Sequence, residues 1–275
     1  MSATAFADRY GATALVTGAS SGIGRALAWE AARRGLDVVL VARRAAALHE
    51  LADDVSARHG VRAEVRAHDL ADPAAPARLA EETADRDIGL LIAAAGFGTS
   101  GALADAPLAA EREMLQVNCG AVVELAATLG ARMVYRGRGG IVLLSSIVAF
   151  QGAPNAAHYA ATKAYVQTLA EGLHVELAPR GVDVLAAAPG PVASGFGDRA
   201  GMALRRFTVE PEVIAPRILD ALGRRSTTTP GLLSRLLRDS LAPLPRPART
   251  RVMGTVMASM VQSTAGVGRS PTKRR

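Results

Sequence analysis

The sequence predicts an α/β fold: a doubly wound parallel sheet of about seven strands with helices on both faces, followed by a helical C-terminal extension. Three observations predict it. Short apolar runs alternate with segments of helical period from about residue 12 to residue 230, joined by short links. The first of these runs passes through a glycine-rich turn directly into a helix. After Pro230 the pattern changes to two amphipathic helical segments. A length of 275 residues suits one large α/β unit. The expected division is residues 1–230, a C-terminal extension over 231–269 and a disordered tail over 270–275.

Ala12–Thr17 is a short apolar strand that leads into Gly18, Ala19, Ser20, Ser21, Gly22, Ile23 and Gly24, and Arg25–Arg34 then has helical period. In a strand, glycine turn and helix of this kind, glycines let the backbone approach a pyrophosphate held at the helix N-terminus. A tight turn with no ligand carries the same local signal, so the flanking elements give the motif its weight. The second strand, Leu36–Ala42, ends in Arg43 and Arg44. An acidic residue there would take a ribose 2′-hydroxyl, whereas a basic one accommodates a 2′-phosphate. The expected cofactor is therefore NADP(H), with Arg43 the first contact and Arg44 the second. Asp37 lies at the wrong end of the strand to compete.

Ala45–Arg58 reads as a helix, and Val61–Ala67 as a third strand ending at His68, Asp69 and Leu70. Pro73–Arg86 reads as a helix, and Ile88–Ala94 as a buried strand that stops at Ala95, Gly96, Phe97 and Gly98. Ligands of doubly wound sheets sit beyond the C-terminal strand ends, where Gly18, Arg43, Asp69, Gly96 and Ser146 all fall. Pro107–Tyr135 reads as one long apolar-periodic helix containing Asn118, one of only two asparagines in the chain. A buried amide there needs partners, either as a bridge from helix to sheet or as the holder of a water.

Ile141–Leu144 is an apolar strand ending at Ser145 and Ser146, and Gln151–Asn155 connects it to a helix carrying Tyr159 and Lys163. The i, i+4 spacing puts phenol and ammonium on one face. A phenol with a reference pKa of about 10 is a poor donor near neutrality, but a nearby cation favours the phenolate. The pair makes a tunable acid/base. Tyr-x-x-x-Lys alone is an ordinary surface pattern. However, the 32 Lys plus Arg residues include only two lysines, Lys163 and Lys273, the second in a terminal basic cluster. A chain that writes nearly every cation as Arg has kept an ammonium here.

Val182–Ala188 is a sixth strand, followed by Pro189, Gly190, Pro191, Val192, Ala193 and Ser194. Gly195–Thr208 is an insert before the helix Glu210–Leu222, and its Phe196, Met202, Leu204 and Phe207 suit a substrate lid; a plain surface connection is the alternative. Ser226–Thr229 is a last strand. Leu232, Leu233, Leu236, Leu237 and Leu241 then make one apolar stripe, and Val252, Met253, Val256, Met257, Met260 and Val261 make another. Three destinations compete for these stripes: the protein's own surface or a sister subunit first, a membrane surface second, a carrier or partner protein third.

The net charge of +7 is uneven, because from Arg224 onward eleven Lys or Arg face one acidic residue, a balance of +10 that leaves residues 1–223 at −3. This basic excess is dispersed and lacks interleaved aromatics, so no nucleic-acid partner is expected. The single cysteine, Cys119, excludes an internal disulfide and a multi-cysteine metal site and fits a reducing compartment. No metal is expected. The chain lacks an 18-residue apolar run and a signal-peptide pattern at its start, which makes the cytoplasm the expected location.

The motifs TGASSGIG at Thr17–Gly24, Asn118, Ser146, the Tyr159/Lys163 pair and PGPV at Pro189–Val192 together resemble the short-chain dehydrogenase/reductase family, over about residues 10–230. The resemblance implies a Rossmann-type fold and a set of roles. Tyr159 would protonate a carbonyl oxygen as hydride arrives, and Ser146, thirteen residues before it, would polarise that oxygen. Lys163 would bind the nicotinamide ribose and depress the pKa of Tyr159, and Asn118 would anchor its helix and a water of a proton relay. The Val192 backbone and the Ser194 hydroxyl would hold the carboxamide, with Pro189 and Gly190 also at the cofactor. Asp69 and Leu70 would flank adenine, and Ala95 and Gly96 would complete the cofactor site. One departure stands out: Ala93, Ala94, Ala95 and Gly96 replace the family's usual Asn-Asn-Ala-Gly, which would loosen the cofactor site or its supporting strand. The basic end of the second strand and the leucine-rich C-terminus look most like the NADPH-preferring branch that reduces ketones, including oxoacyl compounds and steroids. The expectation is an oxidoreductase moving hydride between NADP(H) and an apolar ketone or secondary alcohol, working as a homodimer or homotetramer. The alternatives are a non-catalytic NADP(H)-sensing protein of the same fold and an epimerase or dehydratase relative.

Overall fold

The computed structural model of the chain describes residues 3–201 and 208–265. Met202, Leu204 and Phe207 of the expected lid, and the tail 270–275, lie outside them. Seven parallel strands form one sheet: β1 Thr13–Thr17, β2 Asp37–Ala42, β3 Ala63–Ala67, β4 Ile88–Ala93, β5 Gly139–Leu144, β6 Val182–Ala187 and β7 Thr227–Thr228. Their order is β3-β2-β1-β4-β5-β6-β7, so the winding reverses between β1 and β4 and opens a crevice there at the strand ends. Successive side chains point to opposite faces. Ala14, Val16, Leu90 and Ile92 pack under α2 Gly22–Arg33, α3 Ala45–His59 and α9 Pro211–Ala221. Leu15, Leu91, Ile141 and Leu143 pack under α4 Ala75–Glu82, α6 Ala121–Arg136 and α7 Ala157–Leu177. Both faces are covered, which is why β1, β4 and the Ile141–Leu144 part of β5 read as apolar runs.

Two features differ from the sequence expectation. A helix, α1 Ala3–Tyr10, precedes β1. Its Phe6 and Tyr10 are 1% and 0% exposed, the Tyr10 hydroxyl donates to Asp183 at 2.9 Å, and Arg9 pairs with the same carboxylate at 2.7 Å. Burial first, then the Asp183 charge, raises the Tyr10 phenol above its ordinary value. Phe6→Ala is expected to destabilise the fold by about 3 kcal/mol or more, read as a lower urea midpoint at unchanged slope. An unchanged midpoint would show that the helix docks without contributing.

The helix expected over Pro107–Tyr135 is divided into α5 Leu108–Leu115, a π-helical turn Gln116–Gly120 and α6. The wider turn holds Asn118 in a bulge, a device common at functional sites. By length and composition the run Leu108–Arg136 would suffice to cross a membrane, but 56% of its apolar window is buried, as in a core helix.

The insert after β6 begins and ends at one point, because Val192 and Val209 bridge and Ala193 donates to the Val209 carbonyl at 3.0 Å. It carries a short helix, α8 Phe196–Ala200. The extension forms α10 Leu232–Leu241 and α11 Arg246–Ala265. In α11 Thr250 lies over Gly152 and Gly254 over Pro154, and Met253 and Met257 are buried. The side chains of Met260 and Val261 lie outside the description. The stripe of α10 behaves otherwise: Leu232, Leu233, Leu236 and Leu237 are all exposed.

Candidate active site

A cavity of about 840 Å³ opens beyond the C-terminal strand ends. It is lined by Gly18, Ser20, Ser21, Gly22, Ile23 and Gly24 after β1, Arg43 and Arg44 after β2, and Asp69 and Leu70 after β3. Ala95 and Gly96 line it after β4, Pro189, Gly190, Val192 and Ser194 after β6, and Ser146, Tyr159 and Lys163 line it as well. Of the expected catalytic and cofactor residues, all of them described, Asn118 alone does not line it.

The glycine turn is built for close approach. Gly18 has φ +69° and Gly22 φ +54°, in the left-handed region that side chains disfavour. A Cβ on Gly18 would come 2.8 Å from the Ala95 nitrogen, and one on Gly24 would come 2.3 Å from the Gly18 carbonyl oxygen. The first N–H groups of α2 lack intrahelical acceptors, and Ser21, the residue before it, supplies no side-chain cap. This end of α2 suits an anion. Arg44 donates to the Ser20 carbonyl and hydroxyl, both at 3.2 Å. Arg43 lies between the carboxylates of Asp69 and Glu113, at 3.7 and 3.6 Å, so an anionic ligand would compete with two acids for it.

The Ala93–Gly96 segment has support of its own. Ala93 is buried in β4, and the Ala95 N–H donates to Thr17 Oγ1 at 3.0 Å. Gly96 faces Asn118 and Lys163, so closely that a Cβ would sit 3.0 Å from Asn118 Oδ1.

Asn118 is 1% exposed and fully engaged. Its Oδ1 accepts from the Phe97 N–H at 3.1 Å, and its Nδ2 donates to the Phe97 carbonyl at 2.9 Å and to Thr162 Oγ1 at 3.0 Å. Thr162 in turn donates to the Tyr159 carbonyl at 2.8 Å. This geometry clamps the loop after β4 to the helix that carries Tyr159.

Tyr159 and Lys163 are 8% and 6% exposed on α7. The Lys163 ammonium donates to the Leu144 carbonyl at 2.8 Å and lies 6.0 Å from the centre of the Tyr159 ring. Ser145 donates to the Lys163 carbonyl at 3.1 Å, while Ser146 is the serine whose hydroxyl lowers the Tyr159 phenol. Burial pushes the Tyr159 phenol up to about 12, against the lowering effect of Ser146. Burial also pushes Lys163 down to about 8. Burial sets the direction of the Tyr159 shift, and the Lys163 ammonium is turned toward Leu144.

Several contributors carry no local signal in the sequence. Thr162 and Phe97 complete the Asn118 clamp, and a 2.6 Å contact between His158 and the buried Glu111 ties α5 to the start of α7. Phe196, from the expected lid, has its ring centre 5.4 Å from that of Tyr159. Leu237, Leu241, Val252, Met253, Val256 and Met257 bring the C-terminal extension into the cavity wall. Their helical period is legible, but not what it packs against.

The family model described as short chain dehydrogenase matches residues 12–202. The chain belongs to the short-chain dehydrogenase family. Among its relatives is a 7β-hydroxysteroid dehydrogenase of Clostridium sardiniense, 32% identical over 236 residues, with 84% of this chain and 89% of the relative covered. A short-chain dehydrogenase from Sphingobium yanoikuyae, solved in complex with NADPH, matches with a TM-score of 0.77 at 32% identity over 96% of this chain and 98% of that one. The bulky-bulky ketone specific alcohol dehydrogenase from Comamonas testosteroni matches with a TM-score of 0.71 at 30% identity, covering 86% and 96%. The family match ends before α9, α10 and α11, so the apolar wall that the last two give this short-chain dehydrogenase lies beyond it.

Proposed function

We propose that this short-chain dehydrogenase is an NADP(H)-dependent carbonyl reductase and alcohol dehydrogenase acting on an apolar ketone or secondary alcohol. The observation that carries the reading is one cavity in which Tyr159, Ser146 and Lys163 stand between a side-chain-free glycine cradle and an apolar wall of Phe196, Leu241, Met253 and Met257. The NADPH complex of one solved relative and the ketone specificity of another support it.

The cradle a Cβ would fill, and the α2 end that no side chain caps, fit a dinucleotide pyrophosphate; Arg43 and Arg44 fit a 2′-phosphate. NADP(H) would be held by Gly18, Ser20–Gly24, Arg43, Arg44, Asp69, Leu70, Ala95, Gly96, Lys163, Pro189, Gly190, Val192 and Ser194, and when bound it supplies or accepts the hydride. Tyr159 is neutral throughout the physiological range, which is the form that reduction needs. Its hydroxyl gives its proton to the carbonyl oxygen while Ser146 donates a hydrogen bond to the same oxygen. Lys163, an ammonium below about pH 8, favours the phenolate left behind. Oxidation runs the same groups in reverse. Asn118 acts through Phe97 and Thr162 as a positioning residue, and Phe196, Met253 and Met257 exclude water.

The exposed Leu115, Val123 and Tyr165, on α5, α6 and α7, support a homodimer built on those helices. The free, buried Cys119 suits the cytoplasm. The activity is tested by following NADPH oxidation over a panel of apolar ketones. Turnover is expected, with kcat/KM higher for NADPH than for NADH. Replacing Arg43 and Arg44 together by Ala is expected to lower kcat/KM for NADPH about tenfold or more, with little change for NADH. No oxidation with any ketone would overturn the reading; a preference for NADH would overturn the arginine assignment.

A further inference from the structure

Among the described residues, the outward leucines of α10 are left uncovered. Leu232 is 65% exposed and Leu236 59%, with Leu233 and Leu237 also exposed. Around the helix, at 3.6 residues per turn, Arg238, Arg235 and Asp239 form one edge and Leu232, Leu236 and Leu233 the outer arc. Leu237 and Leu241 form the opposite edge, where they line the cavity that holds Tyr159. The buried Ser234 seats the helix against Gly190. Leu237, both exposed and cavity-lining, stands at the mouth.

The arginine edge continues into a groove of about 320 Å³ bordered by Arg217, Arg225, Arg235, Arg238 and Thr227–Gly231. Arg238 pairs with Asp239 at 2.7 Å and donates to Thr229 at 3.0 Å. Arg217, Arg225 and Arg235 have no acidic partner among the described residues, and the chain from Arg224 onward carries +10. A leucine arc beside an arginine edge is the pattern of a helix lying in the plane of an anionic bilayer, and ten residues are too few to span one. A second copy is the poorer occupant, because a twofold contact through this face would set like-charged arginines against each other.

We propose that α10 docks the enzyme on an anionic phospholipid surface. The arginine edge meets headgroup phosphates, the leucine arc enters the interface, and the cavity mouth at Leu237 faces the lipid from which an apolar ketone enters. The docking stands on α10 and its groove alone; the substrate route rests on the proposed function.

Flotation of the full chain with phosphatidylcholine vesicles, with and without phosphatidylglycerol, tests it. Binding is expected to be about tenfold or more stronger to the anionic vesicles and to weaken with salt. The double variants Leu232→Ser/Leu236→Ser and Arg225→Ala/Arg235→Ala are each expected to lose about tenfold in that binding. Their turnover of a water-soluble ketone and their mass by light scattering stay at wild-type values. The proposal is overturned if the chain does not float with anionic vesicles, if it floats equally with neutral ones, or if the leucine variant falls to a smaller oligomer without lipid, which would make α10 an interface between copies. If the chain floats but reduces no ketone, the docking stands and the proposed function fails.

Discussion

Replacing Tyr159 by Phe is expected to lower kcat for ketone reduction by at least about a thousandfold while NADPH affinity and thermal stability stay close to wild type. The substitution removes one hydroxyl and keeps the ring that packs against Phe196 at 5.4 Å. Ser146 still accepts from the Val148 N–H at 3.4 Å, so no buried donor is stranded in the backbone. What is lost is the proton donor, because no other phenol lines the cavity beside Ser146 and Lys163. Single-turnover kinetics with a fluorescence titration of NADPH separates the chemical step from binding. Retention of more than about a tenth of the wild-type rate would remove Tyr159 from the role of general acid. The pH profile supplies a second readout. With Tyr159 at about 12 and Lys163 at about 8, the phenol stays protonated across the assay range and the lysine is the group that titrates. Below about pH 8 the ammonium stabilises the phenolate formed by proton donation, and above it that help is withdrawn. For reduction, kcat/KM is therefore expected to be flat on the acid side and to fall as pH rises through that value, with the inflection absent in Lys163→Met.

Much of this architecture is legible in the sequence because its signals are local. Strands buried on both faces must be apolar without interruption, and a turn that meets a backbone must be glycine, so β1, Gly18 and Gly24 declare themselves. The boundary of β5 is less legible, since its first two residues, Gly139 and Gly140, carry no apolar signal. The π turn is hidden for a different reason: Val117 and Cys119 are buried like their helical neighbours, and the bulge answers to the bonds of Asn118 with Phe97 and Thr162, distant in the chain. Likewise α1 is held by what its Phe6 and Tyr10 meet, Arg34 and Asp183, which lie far along the chain. The spacing of Tyr159 and Lys163 gives their proximity but not their burial, which is what sets the direction of the tyrosine's shift. The two C-terminal stripes have the same period and opposite fates. Gly152 and Pro154 receive α11, and nothing comparable in the described chain covers Leu232 and Leu236.

Gly24→Ala is expected to weaken NADPH binding by about a hundredfold and to lower stability by about 1–3 kcal/mol. The added Cβ would lie 2.3 Å from the Gly18 oxygen and 2.7 Å from the Gly18 carbon, so backbone and not a flexible side chain must give way. Gly18 has little room to retreat, because a Cβ on it would already be 2.8 Å from the Ala95 nitrogen. The N-terminal turn of α2 must therefore move outward, and its unpaired N–H groups move with it, away from where a pyrophosphate would be held. Gly60→Ala is the control: it has φ +68° but nothing within 4 Å of an added Cβ, so it strains the backbone without pressing on the cradle. A cost of about 1 kcal/mol with no change in NADPH affinity is expected there. Calorimetric titration and thermal unfolding of both variants separate the two effects. If Gly24→Ala loses stability while binding NADPH as wild type does, the cradle serves only the packing of α2 against β1, and the pyrophosphate must be held elsewhere.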